Sequence, residues 1–301
     1  MRIAFFGLPL AALLLARDGH DIVYAAICRR DAIGTRRLRR TLGEDRVEVK
    51  PDAGSAAVLA RVIASKPDLL VSWFWTTRLP QPVLRTPKLG AFGVHPSLLP
   101  RFRGPDPYFW AIDMGDAETG VTAHRLEAEY DTGAILARRS IAIDRSWSAW
   151  TLAKKLDRPS LVVLREVAKG FAEGNPPKEE LQDDARSTSA PIPDDVLLVL
   201  RWTWPAERIV RRVRAASPWP GALAQIGDVE ITLTRAVVTT DFPRALAPGE
   251  GAVIDGRAVV RAGDDAAVEL LEGRRSTSTD TDLVLDRTAL ARLVENARCG
   301  S

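Results

Sequence analysis

Short apolar runs alternate with amphipathic segments through the first half of the chain. Patterns typical of buried strands occur at Arg2–Gly7, Asp21–Cys28, Asp68–Phe74 and Ala91–His95. Between them, segments such as Ala56–Ser65 repeat apolar residues at helical spacing. Strands that alternate with helices in this way indicate a parallel sheet covered by helices. The first half therefore predicts an α/β domain built on a parallel sheet.

The pattern changes after the strand that ends at His95. Gly120–Leu126 and Ala134–Ile143 read as a pair of strands, and the Asp-Thr-Gly sequence between them is a turn composition. Ser146–Gly174 follows as a helical pattern. Because proline lacks an N–H and its ring clashes with the preceding turn, Pro159 is expected to kink or break this helix.

Beyond Gly174 the composition becomes that of a linker, with two proline clusters and acidic pairs in residues 174–195. One amphipathic helix, Ala206–Ala215, comes next. Short β-like runs then recur at the spacing of a small barrel: Ala222–Ile226, Val229–Val238, Gly251–Ile254, Ala258–Ala262 and Ala266–Leu271. We therefore expect an α/β domain over residues 1–190, which includes most of the linker, and a small β-barrel domain over residues 196–301.

Composition and charge exclude several classes of protein. The 301 residues include 42 basic and 39 acidic side chains, a net charge of +3 that is too small to indicate nucleic acid by itself. Two cysteines and three histidines, scattered without ligand spacing, predict neither a disulfide framework nor a metal site. The apolar stretch near the N-terminus is broken at Arg17–His20, so we expect no membrane span and a cytoplasmic protein.

Candidate chemistry gathers around His95, which stands where a predicted parallel strand ends. Open α/β sheets place their ligand crevice at that edge. Asp131, in the turn between the later strands, is within reach of a histidine on a neighbouring strand, and such a pair performs general acid–base chemistry. Taken alone, a histidine after a strand is more often a surface or core residue, and an Asp-Thr-Gly turn is usually only a turn. Spacing leaves both interpretations open.

A family resemblance bears on this choice. His95–Gly104 together with Gly120–Leu136 resembles the active-site signature of the 10-formyltetrahydrofolate-dependent formyltransferases, closest to the branch that acts on methionyl-tRNA. The likeness extends to Arg2–Gly7, Leu79–Gly90 and Trp202–Ala222, and so to nearly the whole chain. It implies a Rossmann-like catalytic domain, an OB-like C-terminal barrel, and transfer of a formyl group to a primary amine.

The resemblance also implies a catalytic Asn–His–Asp set, in which His95 and Asp131 supply the last two members. Gly93 stands at the position of the asparagine. The family asparagine hydrogen-bonds the formyl oxygen as the oxyanion develops, and losing one such donor costs about 10²–10³ in rate. Either another group substitutes, such as water, a backbone N–H or His124, or transfer is slow or absent.

The formyl donor implied by the resemblance is 10-formyltetrahydrofolate. The positions expected to bind it are Trp75, Thr77, Arg78, Leu79, Glu129 and Asp131. Aromatic side chains around Trp75 suit a flat ring, although an aromatic run at the end of a strand is at least as often core packing.

The acceptor is the part of the reaction that the sequence constrains least. Arg36, Arg37, Arg39 and Arg40 lie after the second strand, where the resemblance implies a basic loop on the tRNA acceptor arm; a solvated charged face is the alternative. Strand alternation places His124 on one face with Thr122 and Leu126, either as an acceptor contact or packed against the sheet.

Two further functions stay open. Asp106–Ala111 is closer in character to N-formyltransferases that act on amino sugars or natural-product amines. Because Gly93 replaces a catalytic side chain, a degenerate paralogue that binds folate or RNA without transferring formyl groups is the other alternative.

Overall fold

The computed structural model describes residues 1–276 and 282–299. The remainder of the predicted C-terminal domain, residues 277–281 and 300–301, lies outside the described residues. The chain divides into two compact units. Unit 1 consists of Met1–Pro107, Glu118–Ile141 and Lys154–Ala190, and unit 2 takes Tyr108–Ala117, Ala142–Ala153 and the chain from Pro191 onward. Two short segments from the middle of the sequence thus belong to the unit that also contains the chain from Pro191 onward.

Unit 1 is built on a seven-stranded sheet in the order β3-β2-β1-β4-β5-β6-β7. Its strands are β1 (Arg2–Gly7), β2 (Asp21–Ile27), β3 (Val47–Val49), β4 (Leu69–Trp73), β5 (Ala91–His95), β6 (Glu118–Arg125) and β7 (Ile135–Ala142). The first five pair in parallel, which confirms the Rossmann-like α/β prediction. The expected neighbours β6 and β7 are also adjacent.

The strand β6, which lies beside the five parallel strands, pairs with β5 in the antiparallel direction. Apolar runs indicate burial but not strand direction, so the sequence pattern carried no signal for this reversal. Antiparallel strands at the side of an otherwise parallel sheet are a common arrangement. The reversal determines the site, because its register places His124 opposite Gly93 and Thr122 opposite His95.

The helices along the first 172 residues of the chain are α1 (Pro9–Arg17), α2 (Thr35–Leu42), α3 (Ala56–Ser65), α4 (Gln81–Leu84), α5 (Pro107–Met114) and α6 (Ala149–Ala172). The predicted break in α6 at Pro159 was wrong, since the helix runs unbroken through it. Apolar residues on both sides, among them Leu156 and Val163, are almost fully buried. Burial of this face offsets a proline cost of roughly 3 kcal/mol.

Unit 2 contains a six-stranded antiparallel sheet in the order β10-β11-β12-β9-β8, with β13 paired to β12. Its further elements are α7 (Asp195–Leu198), α8 (Ala206–Ala216), β8 (Ala222–Ile226), β9 (Val229–Thr239), β10 (Gly251–Ile254), β11 (Arg257–Arg261), β12 (Ala267–Ser276), β13 (Asp282–Leu285) and α9 (Arg287–Cys299). An antiparallel β-domain after the α/β domain is as predicted.

The arginines of α8 point into unit 2. Arg208 and Arg212 both bind the Asp113 carboxylate, at 2.6 and 2.7 Å, and Arg214 donates to the carbonyl of Trp147. These three arginines are therefore engaged within the unit and do not form a free basic surface. Instead they neutralise and hold a carboxylate that is buried in this unit.

No helix within the two described stretches of chain is long and apolar enough to cross a membrane.

Candidate active site

His95 closes β5 and meets Asp131 in space, although 36 positions separate them in the sequence. Its Nδ1 lies 3.4 Å from Asp131 Oδ2, and its Nε2 lies 2.8 Å from the carbonyl oxygen of Phe102. A carbonyl only accepts, so the Nε2 atom carries a proton and donates to it. The ring therefore has one nitrogen satisfied by the backbone and the other directed at the carboxylate.

The loop that follows β5 is tied down by a short series of hydrogen bonds. Thr122 Oγ1, on β6, donates to the Ser97 carbonyl at 2.7 Å and accepts from the Leu99 N–H at 3.1 Å. Ser97 Oγ donates to the Arg101 carbonyl at 2.6 Å. These bonds fix the direction of the Phe102 carbonyl and, through it, the orientation of the His95 ring.

Asp131 occupies a left-handed backbone conformation, with φ +57°, which is costly for a non-glycine residue. Two hydrogen bonds hold it there. Its Oδ2 accepts the Gly104 N–H at 2.9 Å, and its carbonyl accepts Gln182 Nε2 at 2.7 Å. Gln182 lies in the segment that the composition assigned to a linker. That segment packs on unit 1 as far as Ala190 and supports the turn that carries the carboxylate.

A second imidazole shares this carboxylate. His124 Nε2 lies 3.5 Å from Asp131 Oδ1, and His124 Nδ1 donates to the Arg125 carbonyl at 2.8 Å. Burial lowers the pKa of His124 to about 4, against the opposing effect of Asp131. The ring is therefore neutral near pH 7, and the nitrogen that faces Asp131 is unprotonated.

His124 is only 3% exposed as a side chain. The structure places it between the sheet and Asp131, while its role as an acceptor contact stays a prediction.

Four residues form a row across the sheet on the face that carries both histidines. Phe6 on β1 pairs with Ser72 on β4, Ser72 with Gly93 on β5, and Gly93 with His124 on β6. Paired residues on adjacent strands point to the same face. Sequence reasoning missed Ser72, although strand alternation placed it on the face opposite Trp73. Its position beside Gly93 needed the register.

The predicted folate positions divide into two groups. Leu79 is buried in the core, and the Trp75 ring packs edge-on against Phe6 with centroids 5.2 Å apart. Arg78 and Glu129 meet at 3.3 Å on the surface. Thr77 is exposed nearby in sequence. Their part in binding a folate stays a prediction.

The four predicted acceptor arginines lie on α2, away from this cluster in the sheet order. Arg36, Arg37 and Arg40 are exposed, and Arg39 pairs with Glu44 at 3.2 Å. They line a surface groove of about 770 Å³. Most of the residues that line the groove come after β2 in the sequence. In the sheet, β2 lies three strands from β5, so these two strands are on the order of 14 Å apart at ordinary strand spacing.

Within the part of the chain that the structure describes, no group of three or more histidine, cysteine, aspartate or glutamate side chains is arranged to hold a metal ion.

Comparison with known proteins places this site in context. Residues 30–167 match the family described as formyl transferase, and residues 198–281 match the formyl transferase C-terminal domain. The methionyl-tRNA formyltransferase of Caldanaerobacter subterraneus subsp. tengcongensis is 30% identical over 285 residues, which cover 88% of this chain and 90% of that protein. The methionyl-tRNA formyltransferase of Pseudomonas putida is 36% identical over 214 residues, 70% of this chain and 67% of that protein.

Solved structures share the fold at lower identity. HypX from Aquifex aeolicus, solved in complex with tetrahydrofolic acid, is 22% identical with a TM-score of 0.66. The match covers 100% of this chain and 48% of HypX, so the chain spans about half of that protein. An N-formyltransferase from Helicobacter canadensis, complexed with folinic acid and dTDP-3-aminofucose, is 12% identical with a TM-score of 0.68, covering 89% of this chain and 98% of that one.

Proposed function

Because the chain belongs to the formyltransferase family, as its sequence motifs predicted, we propose that it transfers a formyl group from 10-formyltetrahydrofolate to a primary amine. The observation that carries the proposal is the meeting of His95 and Asp131 at the end of β5. Open α/β sheets bind ligands at this edge.

In this reaction the neutral amine attacks the formyl carbon. His95, oriented by Asp131 and by the Phe102 carbonyl, assists the proton transfer that lets the folate nitrogen leave. Holding donor and acceptor together supplies much of the remaining acceleration.

The acceptor that we propose is the amino group of methionyl-tRNA. Two relatives with that name align with 88% and 70% of this chain, and the exposed arginines of α2 suit contacts with a phosphate backbone. Folate and tRNA are then the two partners of unit 1.

The test is formyl transfer from 10-formyltetrahydrofolate to initiator tRNA charged with methionine. We expect turnover by the wild-type chain and a loss of about 10²–10⁴-fold in His95→Ala and Asp131→Asn. His20→Gln serves as the matched control, because His20 is the third histidine of the chain and makes no contact in this cluster. Activity of His95→Ala equal to that of the wild type contradicts the proposal.

Gly93 lacks the side chain that stands at this catalytic position in the resemblance. The same assay therefore also tests the two alternative functions, a small-amine N-formyltransferase and a degenerate paralogue. Turnover on dTDP-linked amino sugars but not on the charged tRNA favours a small-amine N-formyltransferase. Binding of 10-formyltetrahydrofolate without turnover on either acceptor favours a degenerate paralogue.

A further inference from the structure

Gly93 has no side chain, and the residue beside it on the neighbouring strand, Ser72, carries a hydroxyl. Ser72 pairs directly with Gly93 in the parallel register of β4 and β5. A β-carbon at position 93 would lie 3.5 Å from Ser72 Cβ, so the two side-chain positions are in contact. On the other side of Gly93 the row continues with His124, and through it with Asp131. The Ser72 hydroxyl thus belongs to the same face of the sheet as the catalytic candidates.

Three other hydrogen-bond donors of this site are already engaged. The N–H of Gly104, Nε2 of His95 and Nδ1 of His124 each donate to the partner described above. Ser72 is 9% exposed, and its hydroxyl has no hydrogen-bond partner among the described residues. A nearly buried hydroxyl without a partner is uncommon, since leaving it unpaired costs free energy. It is available to a ligand.

One other unpaired donor lies near this face. Trp75 Nε1 also lacks a partner among the described residues, but the atom is fully enclosed where the indole packs against Phe6. Ser72 keeps a small exposed fraction and adjoins Gly93, so it is the better placed of the two.

We propose that the Ser72 hydroxyl, beside the side-chain-free Gly93, donates the hydrogen bond that stabilises the formyl oxygen as it becomes an oxyanion. This inference rests on the proposed formyl transfer. Amine attack forms the new C–N bond and moves the carbonyl pair onto oxygen, where Ser72 donates without giving up its proton. Collapse restores the C=O bond and breaks the bond to the folate nitrogen, which takes the electron pair and a proton. The acceptor nitrogen loses a proton by way of His95.

The glycine has a physical role in this arrangement. A β-carbon at position 93 would approach Leu126 Cδ2 to 3.1 Å, tighter than ordinary van der Waals contact. Glycine leaves that space free for the reacting group next to the hydroxyl. The β-carbon of an asparagine there already requires Leu126 to move by a few tenths of an ångström.

The first test compares Ser72→Ala with Ser72→Thr, which keeps the hydroxyl. We expect kcat to fall about 10²–10³-fold in Ser72→Ala with KM little changed, and Ser72→Thr to retain most of the activity. Ser65→Ala is the matched control, because that hydroxyl bonds the Val62 carbonyl at the end of α3. An unchanged kcat in Ser72→Ala overturns the inference while leaving the proposed function intact.

The second test adds Gly93→Asn, which supplies an amide next to Ser72. In that background we expect Ser72→Ala to cost less than about 10-fold, since the two donors serve the same oxygen. An equal loss in both backgrounds overturns the inference. If circular dichroism shows that Gly93→Asn does not fold, the comparison of Ser72→Ala with Ser72→Thr decides alone.

A binding measurement separates failure of this inference from failure of the proposed function. If the wild type transfers formyl to no acceptor, calorimetry compares its affinity for 10-formyltetrahydrofolate and tetrahydrofolate. We expect a several-fold preference for the formylated compound that disappears in Ser72→Ala. No preference, or one unchanged by the substitution, overturns the role of Ser72.

Discussion

At the scale of single residues, the charge state of His124 follows from competition between burial and a neighbouring carboxylate. Burial lowers the pKa of the imidazole to about 4, whereas Asp131 acts to raise it. In an unfolded chain the same histidine titrates near 6.5. Between these two values the unfolded chain binds more protons than the folded one, so acid favours unfolding.

We therefore expect His124 to make the folded chain lose stability as the pH falls from about 6.5 to about 4, with little further loss from this residue below that. His124→Asn keeps a donor for the Arg125 carbonyl but removes the titrating ring, so its melting temperature should depend less on pH in this window. Thermal unfolding at half-unit pH steps measures the difference. Parallel curves for wild type and variant would contradict this origin of the acid sensitivity.

At the scale of elements, α2 presents its arginines to solvent. Arg36, Arg37 and Arg40 are exposed beside a groove. On α8, by contrast, Arg212 binds the Asp113 carboxylate and Arg214 donates to a backbone carbonyl. The two helices have similar arginine content, but the charges of α2 face solvent whereas those of α8 are bound within the protein. Of these two helices, α2 is the one that presents exposed arginines, which contacts with a phosphate backbone require.

If these side chains bind phosphates, each contributes to the salt dependence of binding. We expect Arg36→Ala and Arg37→Ala to weaken binding of charged initiator tRNA and to reduce the slope of log K against log salt by up to about 0.9 for each phosphate that the variant no longer neutralises. Arg85→Ala, an exposed arginine elsewhere in unit 1, is the matched control. An unchanged slope in the α2 variants would show that this helix does not bind the acceptor.

At the scale of the whole molecule, Asp113 illustrates how the units are formed. It belongs to a segment whose neighbours in sequence lie in unit 1, yet its carboxylate is bound by α8 within unit 2. Burial alone would raise the pKa of Asp113, but hydrogen bonds from Arg212 and Arg208 hold it below the usual value. A fragment that ends at residue 190 would keep this carboxylate without either arginine.

We expect Asp113→Asn to destabilise the protein by about 3–5 kcal/mol, because Arg212 then stays buried without a counter-charge. Denaturant unfolding measures the change. Asp228→Asn, an exposed position in the same unit, should stay within about 0.5 kcal/mol of the wild type. A loss for Asp113→Asn no larger than that of the control would mean that the buried pair contributes little.

Particular elements show how far the sequence was informative. The buried strands β1, β2, β4 and β5 were predicted within a few residues, because a run of apolar side chains is itself the signal of burial. The direction of β6 relative to β5 was not predicted, since an apolar run is compatible with either direction. Continuity of α6 through Pro159 depended on partners that bury both halves, which a local rule about proline does not include.

The amino-acid sequence by itself determined the family, the α/β domain followed by an antiparallel β-domain, and the identity of His95, Asp131 and Gly93 as the positions to examine. The two domains follow from residue types and short-range patterns, and the family and the importance of Gly93 follow from the resemblance of the motifs. Tertiary structure decided that one carboxylate lies between two imidazoles and that a serine adjoins the vacant side-chain position. Strand order and register bring Ser72, Gly93 and His124 together. Contacts of that kind depend on the folding of the whole sheet, and residues distant in the chain carry no local signal of them.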